Sequence, residues 1–395
     1  HGLVVGSLYR DTGVILGFDR IGAAGKLMGL APYGAPRFFD RRFVGNAADH
    51  ARQGFGAYAV NAWMQHCTAR ARCAGYDAAP LGDVSRITEA INVDIAASTQ
   101  KVFEETVLLA AEALDGILCR LGASTPNLCC AGGTALNCPA NTRLYRESPF
   151  RNVFVEPHTD DSGLALGAAL WLYHNVLDRP LQTRRLDRGE AVDPFYGCAY
   201  DTAAVKSALD ECGPKIRYDK CDDWVDLAAR DIADDKIIGW FEGASEIGPR
   251  ALGHRSLLAN ATQAANWKRM NTLKAREHWR PFAPAVLENE AAQWFRGAPP
   301  HSPHMLFTAE VLSTAVPAIT HVDGSARLQT VDASCGAFFR VLQCVHRLTG
   351  VPMVLNTSFN GRGEPIVETP REALAFLTNT SLDALYIEGY RVVRA

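Results

Sequence analysis

Two stretches concentrate cations among residues that solvent does not favour. Glu246-Ile247-Gly248-Pro249-Arg250-Ala251-Leu252-Gly253-His254-Arg255-Ser256 is followed by Lys274-Ala275-Arg276-Glu277-His278-Trp279-Arg280-Pro281-Phe282-Ala283-Pro284. Arg250, Arg255, Lys274, Arg276 and Arg280 sit among apolar, Gly and Pro neighbours, a pattern that suits a pocket clamping a polyanion better than a solvated face. ATP or an acyl phosphate has the right chemistry; pairing of each Arg with a nearby Glu is the bland alternative. A third stretch, Leu355 to Pro365, opens from an apolar strand into Asn356, Thr357, Ser358, Asn360 and Gly361. Short polar side chains beside free backbone amides are the material of a nucleotide or oxyanion cradle, or of a polar loop that holds nothing. Arg327 adds a further cation in a strand-like context.

Two earlier segments offer weaker chemistry. Ala131-Gly132-Gly133-Thr134-Ala135-Leu136-Asn137 runs from a strand into two glycines, whose amides can approach a phosphate closely, with the Asn137 amide beside them. A plain turn reads the same way. His158-Thr159-Asp160-Asp161-Ser162-Gly163 places carboxylates after a strand, where they could bind a metal or a hydroxyl. Either Asp could instead be an N-cap, and Ser162 is a capping candidate too. His301 and His304 are separated by Ser302-Pro303, which denies them a shared helical face, so this pair is not expected to bind a metal.

The elements that must position these residues alternate between helix and strand. Ile91 to about Leu121 reads as one long amphipathic helix through Val107, Ala110, Leu114, Ile117, Leu118 and Leu121. Leu128–Ala131 is a strand, a polar segment runs to Leu144, Val153–Val155 is a second strand, and Gly163–Leu172 reads as a buried helix of small residues. Leu181–Val192 turns charged and aperiodic, the mark of a linker. Beyond it, helices are expected at Trp224–Asp235, Ala264–Ala275 and Gly336–Leu348, and strands at Lys236–Phe241, Ser256–Ala259 and Val351–Leu355. Thr369-Pro370-Arg371-Glu372 spells a cap, a first-turn Pro and a capping-box Glu ahead of Glu372–Leu377. The result is α/β in the first part and α+β or a mixed sheet in the second.

Composition narrows the classes. The 395 residues, 48% hydrophobic and 21% charged, exceed what one core usually organises and exclude a disordered chain. Lys+Arg 40 against Asp+Glu 43 gives a net charge of −3 without a basic run, which argues against general nucleic-acid binding. No apolar stretch suits a membrane span and the start lacks a signal-peptide layout, so a cytoplasmic protein is expected. The 11 Cys include no Cys-x-x-Cys pair, which points to reduced thiols and, for Cys129, Cys130 and Cys344, to core packing.

In order along the chain, six motifs resemble the O-carbamoyltransferase family of nodulation and antibiotic-tailoring enzymes. They are Gly25-Lys26-Leu27-Met28-Gly29-Leu30-Ala31-Pro32-Tyr33-Gly34; Gly132-Gly133 with Leu136-Asn137; Asp161 with Gly163 and Leu166-Gly167-Ala168-Ala169; Gly248-Pro249-Arg250-Ala251-Leu252-Gly253; Arg280-Pro281-Phe282-Ala283-Pro284; and Asn356-Thr357-Ser358-Phe359-Asn360. The resemblance implies a partial actin/Hsp70-like (Kae1-like) second lobe over residues 1–186 and an α+β YrdC-like domain over 193–395. It implies that the latter makes carbamoyl-adenylate from carbamoyl phosphate and ATP, and that the former passes the carbamoyl group to a hydroxyl of a small natural-product or sugar acceptor. Arg250, Lys274, Arg276 and Arg280 would hold the phosphates, Asn356 and Ser358 the adenylate, with Arg255, Arg327 and Asn360 among the binding residues. Lys26, Gly132, Gly133 and Asn137 would cradle the adenylate in the transfer module, where Asp161 matches a metal-ligand carboxylate.

The implied cofactors are ATP with Mg2+ and a transition metal, iron by resemblance. The family's N-terminal lobe carries a paired-His motif, and no His-x-x-x-His occurs here. A missing segment or partner is therefore expected to supply that lobe, and the first module to expose an apolar face where it packs; a homo-oligomer is left open. Two other readings stand beside this one, a hydrogenase-maturation type carbamoyltransferase and a non-catalytic nucleotide-binding scaffold.

Overall fold

A computed structural model describes residues 5–44, 57–180 and 194–395. The chain forms two compact units, His1–Phe154 with His321–Gly324, and Val155–Thr320 with Ser325–Ala395. The linker expected at Leu181–Val192 lies outside the described residues.

The first unit is mainly helical: α1 (Val5–Ile15), α2 (Ala23–Leu30), α3 (Ala57–Cys73), α4 (Ala90–Arg120) and α5 (Cys138–Glu147), with β1 (Asn127–Cys130) paired to β2 (Asn152–Val155). The long helix α4 forms as its periodicity predicts. Its first half is buried nearly all round, whereas in its second half Leu108 and Ala111 join Leu128, Leu144 and Phe150 in a small core. Leu114, Ile117 and Leu121, expected on the apolar face, are exposed. Gly34 lies so close to α4 that an added Cβ would stand 2.2 Å from the Val93 carbonyl oxygen, so only glycine fits. The segment read as polar up to Leu144 is in fact helix α5, capped by the Asn137 side chain, which accepts from Ala140 N at 3.1 Å. Pro139 in its first turn was the available signal.

The second unit is built on a ten-stranded mixed sheet. The strands are β3 (Ile216–Lys220), β4 (Ile238–Phe241), β5 (Arg255–Asn260), β6 (Ala283–Leu287), β7 (Phe295–Arg296), β8 (Phe307–Val311), β9 (Ser325–Val331), β10 (Met353–Ser358), β11 (Ala384–Ile387) and β12 (Tyr390–Arg394). Their order is β3-β12-β11-β4-β5-β10-β6-β9-β8-β7. Pairs β11/β4 and β6/β9 are parallel, and β4/β5, β5/β10 and β10/β6 antiparallel. Strand alternation sends successive side chains into two separate cores: Phe241, Leu257, Leu355 and Leu385 into one, Trp240, Leu258, Val354 and Tyr386 into the other.

Helices cover both faces. Helix α6 (Leu164–Trp171) precedes them; then α7 (Thr202–Cys212), α9 (Ala265–Leu273) and α11 (Pro370–Asn379) supply the first core, and α8 (Trp224–Ala233) and α10 (Gly336–Thr349) the second. Central strands buried on both faces explain the unbroken apolar runs of Ile238–Phe241 and Ala283–Leu287. Thr369 and Glu372 form the capping box their spacing announces.

Two expectations fail on exposure. Helix α6 forms, but none of its residues is buried, and Leu164 is 69% and Trp171 60% exposed. Its sequence, Leu164-Ala165-Leu166-Gly167-Ala168-Ala169-Leu170-Trp171, is apolar all round, so no pattern in it selects a buried face. Cys129 is exposed and Cys130 half-buried, whereas Cys344 is buried as expected, and all the cysteines are free thiols. Among the described residues no helix is long and apolar enough to cross a membrane.

Candidate functional site

The second unit gathers its cations at one site. The C-terminus of α9 ends at Lys274, whose side chain is 3% exposed and reaches the loop after β10. Its Nζ donates to the Asn360 carbonyl at 2.8 Å, to Asn360 Oδ1 at 2.7 Å and to the Ser358 carbonyl. Ser358 Oγ donates to the same Asn360 Oδ1 at 2.8 Å. Three acceptors match the three donors of an ammonium. Burial, and then the charges of Arg276 and Arg280, push the Lys274 pKa well below its ordinary value.

Arg276 lies over the Phe282 ring at 4.3 Å and donates from Nε to Asn271 Oδ1 at 2.6 Å. Burial lowers its pKa, and Arg280 and Arg327 lower it further. Arg280 is likewise lowered by burial, with Glu277 opposing and Arg250 adding to the effect. Glu277 stands 3.8 Å from Arg280 at its nearest atom. Mutual repulsion thus links Arg250, Arg280, Lys274, Arg276 and Arg327 into one cluster whose nearby carboxylates are Glu277 and Glu364. Like charges gathered in this way are costly without a compensating negative charge.

The loop that presents Arg250 is shaped by a residue the sequence reading passed over. Glu246, 8% exposed, accepts with Oε1 from the amides of Leu252 at 2.7 Å, His254 at 2.8 Å and Arg255 at 3.2 Å. Gly253, at φ +115°, is needed because a Cβ there would lie 2.3 Å from the Phe338 ring. Gln329, also unforeseen, joins the loop to β10, donating to the Leu252 carbonyl at 2.8 Å while its Oε1 accepts from Asn356 Nδ2 at 2.9 Å. Asn356 is 1% exposed and its Oδ1 has no hydrogen-bond partner among the described residues. A buried Glu in a Gly- and Pro-rich loop was the one visible hint.

Arg255 is fully buried. It lies 3.5 Å over the Phe241 ring, and its guanidinium donates to the carbonyls of Glu242 (2.8 Å), His254 (3.1 Å), Gly243 (3.0 Å) and Cys198 (3.1 Å). That placement braces the loop and engages both terminal guanidinium nitrogens with backbone carbonyls.

In the first unit, Gly132 (φ +89°) and Gly133 form an exposed turn with open space where a Cβ would be. Lys26, on α2, has its Nζ 5.5 Å from the Phe18 ring centre. Asn137 points inward: it is 6% exposed, caps α5 and exchanges hydrogen bonds with Gln100 at 2.9 and 3.1 Å. Its amide is therefore engaged in the interior, beside Tyr9 and Glu104, which also bond Gln100.

Asp161 belongs to the second unit and is exposed at the start of a single turn, Asp161–Gly163. The cap of that turn is Asp160, whose Oδ1 accepts from the Ser162 amide at 3.1 Å and hydroxyl at 2.5 Å, so Ser162 donates to the cap and does not act as one. Among the described residues no two further His, Cys, Asp or Glu ligand atoms gather around Asp161. The described residues thus do not make up a transition-metal shell there.

A mixed α/β protein with a ten-stranded sheet and a cluster of mutually repelling cations is the class that fold and site define. Profiles of the carbamoyltransferase N-terminus and C-terminus match residues 1–170 and 229–394. The chain is 34% identical over 405 residues to nodulation protein NolO of Bradyrhizobium diazoefficiens, covering 98% of this chain and 68% of that protein. It is 41% identical over 270 residues to nodulation protein NolNO of Sinorhizobium fredii, covering 66% and 39%. To the 3'-hydroxymethylcephem-O-carbamoyltransferase of Streptomyces clavuligerus it is 32% identical over 376 residues, covering 91% and 62%. The chain belongs to the carbamoyltransferase family. It spans 39% to 68% of the length of these three relatives.

Proposed function

We propose that this chain takes part in O-carbamoyl transfer, and that residues 193–395, which hold the cation cluster, carry the adenylating half of the reaction on carbamoyl phosphate and ATP. The observation that supports this best is the repelling cluster of Arg250, Lys274, Arg276, Arg280 and Arg327. In the proposed chemistry the donor loses its phosphate to water as inorganic phosphate. An oxygen of the resulting carbamate then bonds to the α-phosphorus of ATP as the bond from that phosphorus to pyrophosphate breaks. The charge that builds on departing pyrophosphate is what the guanidiniums would stabilise. Asn356 Oδ1, a buried acceptor with no partner among the described residues, suits an N–H of the bound carbamoyl or adenine group.

In the transfer half, a hydroxyl oxygen of the acceptor attacks the carbamoyl carbon, AMP leaves, and the hydroxyl proton passes to solvent or a base. We assign this half to residues 1–186, a Kae1-like lobe, with Lys26 and the Gly132-Gly133 turn toward the nucleotide; residues 193–395 are the YrdC-like module. A small hydroxylated acceptor is favoured by the likeness to the 3'-hydroxymethylcephem-O-carbamoyltransferase. Mg2+ would arrive with ATP. A cytoplasmic setting suits these substrates.

The test is carbamoyl-phosphate-dependent release of pyrophosphate from ATP by the purified chain. Release expected with both substrates and absent with either alone supports the reading. ATP binding without release would leave a nucleotide-binding scaffold and overturn it.

A further inference from the structure

The far end of the same sheet holds a second gathering of ligand-capable groups. Strands β6 and β9 run parallel, with Leu287 opposite Val331 at their C-terminal ends. The next residues, Glu288 and Asp332, therefore leave the sheet side by side. His301 comes from the segment between β7 and β8, which is pinned to β9 through its neighbour Ser302. That residue, 2% exposed, donates its amide to Thr330 Oγ1 at 2.9 Å and its hydroxyl to the Leu328 carbonyl at 3.2 Å, and accepts from the Thr330 amide at 2.9 Å.

Three segments distant in sequence are thus held so that one ligand atom from each of Glu288, His301 and Asp332 lies within 4.8 Å of the others. His301 Nδ1 is 2.6 Å from Glu288 Oε2. Asp332 Oδ1 accepts from the Ser334 amide at 2.9 Å and hydroxyl at 2.5 Å, which fixes the carboxylate and leaves its second oxygen for a ligand. A cavity of about 530 Å³ adjoins the group, lined by Glu288, Glu290, Asp332, Gln343 and His346 among others.

We propose that Glu288, His301 and Asp332 form a binding site for a divalent transition ion of the Zn2+ class. One imidazole with two carboxylates is a borderline donor set that favours such an ion over Mg2+ or Ca2+, which prefer oxygen alone. Two carboxylates leaving adjacent strands repel, and a divalent cation relieves that repulsion. The hydrogen bond between His301 and Glu288 has to open from 2.6 Å to the ligand-to-ligand spacing of a tetrahedral site, roughly 3.3 Å for bonds near 2.0 Å. Three protein ligands beside an open cavity leave a coordination position for water. The ion would clamp the ends of β6 and β9 to the loop carrying His301. This inference stands apart from the polyanion reading, since none of the three residues belongs to the cation cluster.

The test uses the full chain, stripped with a chelator and titrated with Zn2+ by calorimetry and equilibrium dialysis, beside His301→Ala and Glu288→Gln. Wild type should bind one more equivalent of Zn2+ than either variant, or bind it at least about 10-fold more tightly. Taking the difference between wild type and variant removes binding by free thiols. Co2+ in the same site should give a visible absorption band that His301→Ala loses. Should His301→Ala fold poorly by circular dichroism, the near-isosteric Glu288→Gln carries the test. Equal Zn2+ stoichiometry and affinity in wild type and a folded variant, or displacement of Zn2+ by an equal concentration of Mg2+, would overturn the proposal.

Discussion

Lys274 and Asn360 are tied together twice, through the Asn360 carbonyl at 2.8 Å and its side-chain oxygen at 2.7 Å. The lysine is thereby both a member of the cation cluster and the clamp that fixes the loop after β10. Replacement by Arg keeps the charge but puts a planar fork where three acceptors converge on one nitrogen. Lys274→Arg is therefore expected to lose pyrophosphate release by at least about 10-fold, since a misplaced catalytic frame costs that much or more. Release at the wild-type rate by Lys274→Arg would show that the charge alone matters.

Arg280 is the cluster member suited to substitution, because its side chain is 32% exposed and its nearest carboxylate, on Glu277, is 3.8 Å away. Removing it should leave the core intact. Arg280→Ala is expected to slow carbamoyl-phosphate-dependent pyrophosphate release by about 100-fold, the usual scale for one charge-stabilising donor. Thermal denaturation beside the rate measurement separates a lost donor from a lost fold.

How much of this could be read from sequence differs between the sheet and the site. The cation cluster was legible because Arg250, Lys274, Arg276 and Arg280 interrupt apolar, Gly and Pro surroundings that a solvated face would not have. Which of the cations hold the frame was not. Arg255 differs from Arg250 only by lying under the loop, a fact set by β4 and β5, and Asn137 turns inward because helix α5 needed a cap. Glu246 left only a faint hint because its partners are backbone amides of its own loop, and Gln329 left none because its partners, the Leu252 carbonyl and Asn356, are brought close by strand pairing. His301 with Glu288 and Asp332 makes the same point, since the parallel register of β6 and β9 creates a neighbourhood that spacing cannot express.

Asp161 tests whether the two half-reactions are divided as proposed. It is exposed at the first position of a short turn whose cap is Asp160, so its removal leaves the cap's hydrogen bonds from Ser162 in place. Asp161→Ala is expected to retain pyrophosphate release within about 2-fold while slowing carbamoyl transfer to a hydroxyl acceptor by at least about 100-fold, as loss of a general base for that hydroxyl would. Measuring both on the same folded sample decides it; joint loss would show that the halves are not separated in this way.

The pH dependence of stability should carry the mark of Glu242, which follows β4 and accepts from the Phe338 amide at 3.2 Å. Burial, with the charge of Glu388 adding to it, raises its pKa to about 8, while the Trp240 indole and the Phe338 amide beside it and the charge of Arg340 oppose the shift. Because the folded value lies above the ordinary carboxylate value, the folded protein holds a proton there that the unfolded chain has given up. Stability from this group is thus full below about pH 4, falls as pH rises toward about 8, and is flat beyond. Glu242→Gln, which fixes the neutral form, should unfold at a higher denaturant concentration than wild type at pH 8.5 and show a shallower loss between pH 5 and 8. Denaturant titrations of both proteins across that range check this. A variant whose midpoint falls in parallel with wild type would show that Glu242 is already ionised in the fold.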